Sequence, residues 1–122
     1  MKKKYAYRIL LILTVVAISF FLNYQFGLFS RYNPISAQTD IIQGKIQIVV
    51  FGEMDLKDPI REQISKFYGF EYVFLGCAVS SSINGIEYYN RAMASFISQQ
   101  HGVNWEQKLE KQVDSLAKMQ PK

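Results

Sequence analysis

The 122-residue sequence contains one cysteine, one histidine and three prolines. With Cys77 alone, an intramolecular disulfide is impossible and so is an all-cysteine zinc site. With His101 alone, the usual two- and three-histidine metal centres are excluded. The absence of a C-x-x-C pair rules out thioredoxin-type exchange. Neither a P-loop nor a dinucleotide-binding spacing occurs, and no loop has the central glycine of a calcium site. No internal repeat or low-complexity run is present downstream of the N-terminal segment. The sequence thus offers no catalytic residue, no metal site and no cofactor to name.

Charge is scarce where a nucleic-acid reader would need it. The net charge is +4, and the isoelectric point is near 9.2. Lys2, Lys3, Lys4 and Arg8 all precede residue 9. From residue 9 onward ten Lys and Arg stand against ten Asp and Glu. A phosphate-binding domain needs its own basic face, and this one is neutral, so nucleic-acid binding is not expected.

What is abundant at the start is apolar character. No charged residue occurs from Ile9 to Ser30, a stretch of 22 positions. The strictly apolar part, Ile9 to Leu22, is short of the ~20 helical residues that cross a ~30 Å hydrocarbon layer. Asn23, Tyr24 and Gln25 are uncharged, however, and Phe26, Leu28 and Phe29 continue the run. Tyr5, Tyr7, Tyr24 and Tyr32 flank it, as befits rings at headgroup level. Cleavage-site candidates at Ala17-Ile18-Ser19 and Ile35-Ser36-Ala37 are poorly placed, one inside the apolar run and one far beyond it. Residues 1–29 therefore read as an uncleaved signal anchor, with residues 9–29 in the membrane. The basic residues before the apolar run place the N-terminus in the cytoplasm and the rest outside, which in a Gram-negative cell means the periplasm.

Residues 30–44 read as a juxtamembrane linker, polar and without helical period. Residues 45–122 then read as one small domain. Lys45–Glu53 is a β-branched run and Phe70–Val79 an aromatic-rich one, each expected as a strand. Between them Asp58-Pro59 marks a helix start, with Asp58 as N-cap, and Ile60, Ile64 and Phe67 form one stripe. Asn84 with Glu87 forms the pattern of a capping box, opening a helix to about His101 with Ile86, Tyr89, Met93, Phe96 and Ile97 on its apolar face. Asn104 with Gln107 repeats the pattern before a last helix carrying Trp105, Leu109, Val113 and Leu116. The fold class is α+β: a β-α-β-α-α domain with a two-stranded parallel sheet covered by helices, behind one N-terminal transmembrane helix. So small a core makes a partner or self-association plausible.

Four groups of residues are candidates for function. Cys77, in an apolar strand, is expected to be buried and inert; a thiol nucleophile with His101 as base is the competing reading. Glu53, Asp55 and Asp58 share one turn, but Lys57 and Arg61 interleave, which suits solvated turn chemistry better than a metal. Ser80, Ser81, Ser82 and Asn84 join a strand end to a helix start, where free N–H groups suit an anion. Tyr88 and Tyr89 lie about 100° apart on a helix, so both cannot face one core, and with Phe67, Tyr68 and Tyr72 as further candidates an apolar patch for a partner is expected. The resulting expectation is a non-enzymatic interaction or accessory subunit, working with a protein partner or as a homo-oligomer. The alternative is a periplasmic ligand-binding module or enzyme built on the Ser80–Ser82 turn and Cys77.

Overall fold

A long apolar stretch with no polar side can bury itself only in protein or in lipid. In the computed structural model, which describes residues 2–77 and 82–120, Lys2–Phe26 form one helix, α1, and none of its residues is buried. Its apolar side chains face outward all round; Leu11 is 67% exposed and Phe20 68%. The helix is long and apolar enough to cross a membrane.

The stretch expected as a linker contains a second helix, α2, Pro34–Ile42. Its start is specified by Asn33-Pro34. Asn33 Oδ1 accepts from the N–H groups of Ile35 and Ser36, both at 2.9 Å. Ser36 Oγ in turn accepts from Asn33 N at 3.0 Å, which completes a capping box. The helix has only two buried residues, Ala37 and Asp40. Because one of these is charged, an apolar stripe could not reveal it.

The remaining elements follow the expected order: β1 (Gln47–Val50), α3 (Asp58–Phe67), β2 (Glu71–Phe74), α4 (Ile83–His101) and α5 (Trp105–Met119). The architecture is mixed α/β and mostly helical. The two strands pair in parallel, Gln47 opposite Glu71 and Val50 opposite Phe74. Both are four residues long, shorter than the apolar runs that contain them. The run after β2 is broken by Gly76, whose φ of +71° turns the chain out of the sheet. Two helix starts also differ from expectation. Asp58 does not cap the α3 N–H groups; its carboxylate accepts from the Asp55 N–H and from Arg61. The N-cap of α4 is Ser82, not Asn84, and its Oγ accepts from Gly85 N at 3.3 Å. Asn104 stands at the N-cap of α5 without a side-chain bond to the helix.

The core has two halves that meet along α4. In one, Ile60 and Ile64 of α3, Ile97 of α4, and Trp105, Leu109 and Val113 of α5 close around Phe70. In the other, Ala37 of α2 and Ile86, Tyr89 and Met93 of α4 close around Val49 of β1. Residues 86, 89, 93 and 97 recur at spacings of three and four, so a single stripe of α4 serves both.

Candidate interaction surface

The residues singled out from sequence end up in different places. Ser80 and Ser81 lie outside the described residues. Ser82 is occupied in capping α4. Asn84 points back to α1, its Nδ2 donating to Tyr24 O at 3.1 Å. Cys77 is exposed, against the expectation of a buried thiol, because β2 ends at Phe74 and Gly76 carries the chain outward. The Cys77–His101 pair does not form: His101 Nε2 lies 2.8 Å from Tyr68 O, before the start of β2, whereas Cys77 follows its end. The two tyrosines part company. Tyr89 is fully buried and so closed to a partner, while Tyr88 is half-buried, its ring 5.1 Å from Phe26 and 5.3 Å from the Arg91 guanidinium.

Two of the three carboxylates of the acidic turn, Asp55 and Asp58, face one cation. Arg61 bonds Asp58 at 2.7 Å and Glu110 at 2.8 Å, and Asp55 stands 3.6 Å away. The Glu110 hydrogen bond, with that of Asp58 behind it, holds the guanidinium pKa above its ordinary value despite partial burial. Among the described residues no group of three or more His, Cys, Asp or Glu side chains is placed to hold a metal ion.

A second polar group was not visible in the sequence. Asp40 of α2 is buried, and its Oδ2 accepts from the Tyr89 hydroxyl at 2.7 Å and from Arg31 at 3.0 Å. Burial pushes the Asp40 carboxyl up, but the hydrogen bonds from Tyr89 and Arg31 outweigh it and hold the pKa below the ordinary value. Burial, then the bond to Asp40, raises Tyr89 well above a free phenol. Every buried polar side-chain atom among the described residues has a partner, so this network is satisfied and serves packing.

The sheet presents a different situation at its two edges. In a parallel ladder, alternate residues turn both peptide groups to the same neighbour. The bonds Glu71 N to Ile46 O (3.0 Å) and Leu75 N to Val50 O (2.9 Å) fix which residues of β2 face β1. Val49 of β1 then faces away, and Asn90 of α4 takes both its groups: Val49 N donates to Asn90 Oδ1 at 2.8 Å, and Asn90 Nδ2 donates to Val49 O at 2.7 Å. One side-chain amide thus imitates a third strand at Val49. Tyr72 and Phe74 of β2 also face away from the ladder, and among the described residues their outward N–H and C=O groups make no hydrogen bond. The segment Phe70–Cys77 has no Lys, Arg or Pro; its protection against edge pairing is the shortness of the strand and the one charge, Glu71. On the face of β2 that packs into the core around Phe70, the rings of Phe70, Tyr72 and Phe74 follow one another with centroids 5.2 and 6.2 Å apart. Burial, with Glu110 next, pushes the Tyr72 hydroxyl up to about 12.

This edge was missed in the sequence because both strands read as equally apolar runs; only the position of Asn90 distinguishes them. Compared with known proteins, the chain matches no family model, no curated protein sequence and no solved structure.

Proposed function

We propose that this chain is a single-pass, membrane-anchored interaction or accessory subunit. The anchor is α1, with its N-terminus in the cytoplasm and the small domain outside it. The interaction surface is the free edge of β2, and its occupant is an extended, apolar segment of a protein partner that adds as a strand beside Tyr72 and Phe74. The observation that carries this reading is the asymmetry of the sheet: Val49 has its outward peptide groups paired by Asn90, and Tyr72 and Phe74 have none paired among the described residues. Strand addition obtains affinity from such main-chain groups and specificity from alternating side chains. The lysines and arginine in the first turns of α1, against Arg31 alone just after it, support the orientation.

The test places a photo-crosslinking amino acid at Tyr72 of the full chain in its native membrane. The expected result is a discrete adduct that disappears when Phe74→Pro is added. That change removes the outward donor at position 74 and leaves the residues bonded to β1, Glu71 and Leu75, intact. No adduct, or one indifferent to Phe74→Pro, overturns the edge as the contact. A reporter fused after Lys122 that works only in the cytoplasm would reverse the orientation.

A further inference from the structure

The junction between α1 and the domain contains no free tether. Asn23 Oδ1 accepts from Phe29 N at 2.8 Å, which folds the chain back beside the last turn of α1. Asn84 at the start of α4 bonds Tyr24 O, and the Phe26 ring packs on Tyr88. Gly27 ends α1 with φ +61°, and a Cβ there would stand 2.8 Å from both Gly85 Cα and Ser82 Oγ. A Cβ on Gly85 would collide with the carbonyl oxygen of Tyr32. The end of α1, the loop after it and the first turn of α4 are therefore packed backbone to backbone.

This packing sets the height of the domain above any bilayer that α1 crosses. The uncharged helix from Ile9 to Phe26 is about 27 Å long at ~1.5 Å per residue, against a hydrocarbon thickness of ~30 Å. The hydrocarbon boundary falls at the last turn of α1, and whatever packs on that turn shares its level. Two large apolar side chains beside it lack protein cover, Phe29 at 74% and Ile83 at 58% exposed. Tyr24, 76% exposed, and Arg31, half-exposed beside Asp40, are the residue types that settle among headgroups.

We infer that the domain sits flush on the leaflet in which α1 ends and inserts Phe29 and Ile83 into its interfacial layer, so that the lipid surface is a docking partner of the folded domain in its own right. The inference rests on the reading of α1 as a membrane span and adds to it a fixed domain placement.

Spin labels test it in the full chain. In a Cys77→Ser background, single cysteines Phe29→Cys, Ile83→Cys, Leu13→Cys and Val103→Cys are labelled and reconstituted into phosphatidylcholine–phosphatidylglycerol vesicles. Oxygen, which concentrates in lipid, and a water-soluble nickel chelate then compete as collision partners. All four positions are exposed, so the label does not disturb the core. Val103 follows the far end of α4, about 27 Å along the helix from Ile83, and serves as the water standard; Leu13, in the middle of α1, is the lipid standard. The expected result is that Phe29 and Ile83 favour oxygen, as Leu13 does, while Val103 favours nickel. Phe29 and Ile83 favouring nickel, with Leu13 favouring oxygen, overturns the inference and leaves the anchor standing. Leu13 favouring nickel overturns both.

Discussion

The two halves of the core are joined along α4 but are built on different physics. Around Phe70 the contacts are mainly among aliphatic and aromatic groups, with Trp105 edge-on at 5.4 Å and a few partly buried side-chain bonds, among them Trp105 Nε1 to Ser98 Oγ at 3.0 Å and Ser65 Oγ to Glu62 O at 2.9 Å. Its charges sit at the margin, in the Arg61 cluster, where Asp58 is itself buried, and in the exposed Lys57–Asp114 pair. Around Val49 the packing depends on polar groups: Asp40 beneath Tyr89, Asn90 on the β1 edge, and Asn33 donating to Leu28 O and Ser30 O. The first half is held mainly by area removed from water, the second by bonds that must each be made. The polar half is also the one that carries α1. A junction that must hold one geometry gains from directional contacts, whereas an apolar core can repack.

The difference can be broken or sharpened by experiment, using denaturant unfolding of the full chain in detergent micelles. The largest effect is expected in the apolar half. Trp105→Ala should cost about 3–5 kcal/mol, as for emptying a large core site, and this cost should not depend on pH. In the polar half, Gly85→Ala should cost about 2–3 kcal/mol, because the added methyl meets the backbone of Tyr32 and has no room to relax. If this substitution is silent, the close approach of α1 to α4 does not exist in solution.

Tyr89→Phe removes one hydrogen bond to a buried carboxylate and should cost about 1.5–3 kcal/mol. Its counterpart is a pH effect. Asp40 is held below its ordinary pKa when folded, so as pH falls the unfolded chain takes up the proton first. The stability that Asp40 contributes is complete above an unfolded carboxylate pKa of ~3.9 and is lost as pH falls through the lower folded value. Wild type should therefore be more stable than Asp40→Asn near neutrality, and the gap should close in acid below about pH 4. A gap independent of pH would show that the carboxylate charge is not what Tyr89 and Arg31 hold. The smallest effect belongs to Lys57→Ala: the pair with Asp114 is exposed on both sides, and no measurable loss is expected.

The apolar half was legible in most of its residues. Ile60 and Ile64 of α3, and Trp105, Leu109 and Val113 of α5, recur at helical spacing and are buried as expected, whereas Phe67 and Leu116, placed on the same stripes, are 84% and 40% exposed at the helix ends. The polar half was not. The buried face of α2 is Ala37 and Asp40, which no hydrophobic pattern could show, although Asn33-Pro34 carried a helix-start signal. Asn84 looked like a cap because Glu87 follows at the right distance, but Glu87 pairs with Arg91 at 3.1 Å and Asn84 is drawn to α1. Cys77 looked buried because apolar residues surround it in the chain, yet a turn at Gly76 decides its exposure. Among the described residues no side chain pairs the outward groups of Tyr72 and Phe74 as Asn90 pairs those of Val49.

The sequence by itself determined that an uncharged helix of membrane-crossing length precedes a small domain, and that two strands and three amphipathic helices follow in β-α-β-α-α order. These features are local, because burial acts on periodicity within a dozen residues. Tertiary structure alone decided which edge of the sheet Asn90 pairs, which tyrosine is buried and how the domain meets α1. Each of those outcomes is a short-range, directional contact between residues distant in the chain. Tyr89 and Asp40 are 49 positions apart and Asn90 and Val49 are 41. A pattern along the sequence cannot encode that Asn90 Oδ1 arrives 2.8 Å from one particular N–H, because hydrogen bonds lose their strength within a fraction of an ångström and only the folded chain fixes the distance.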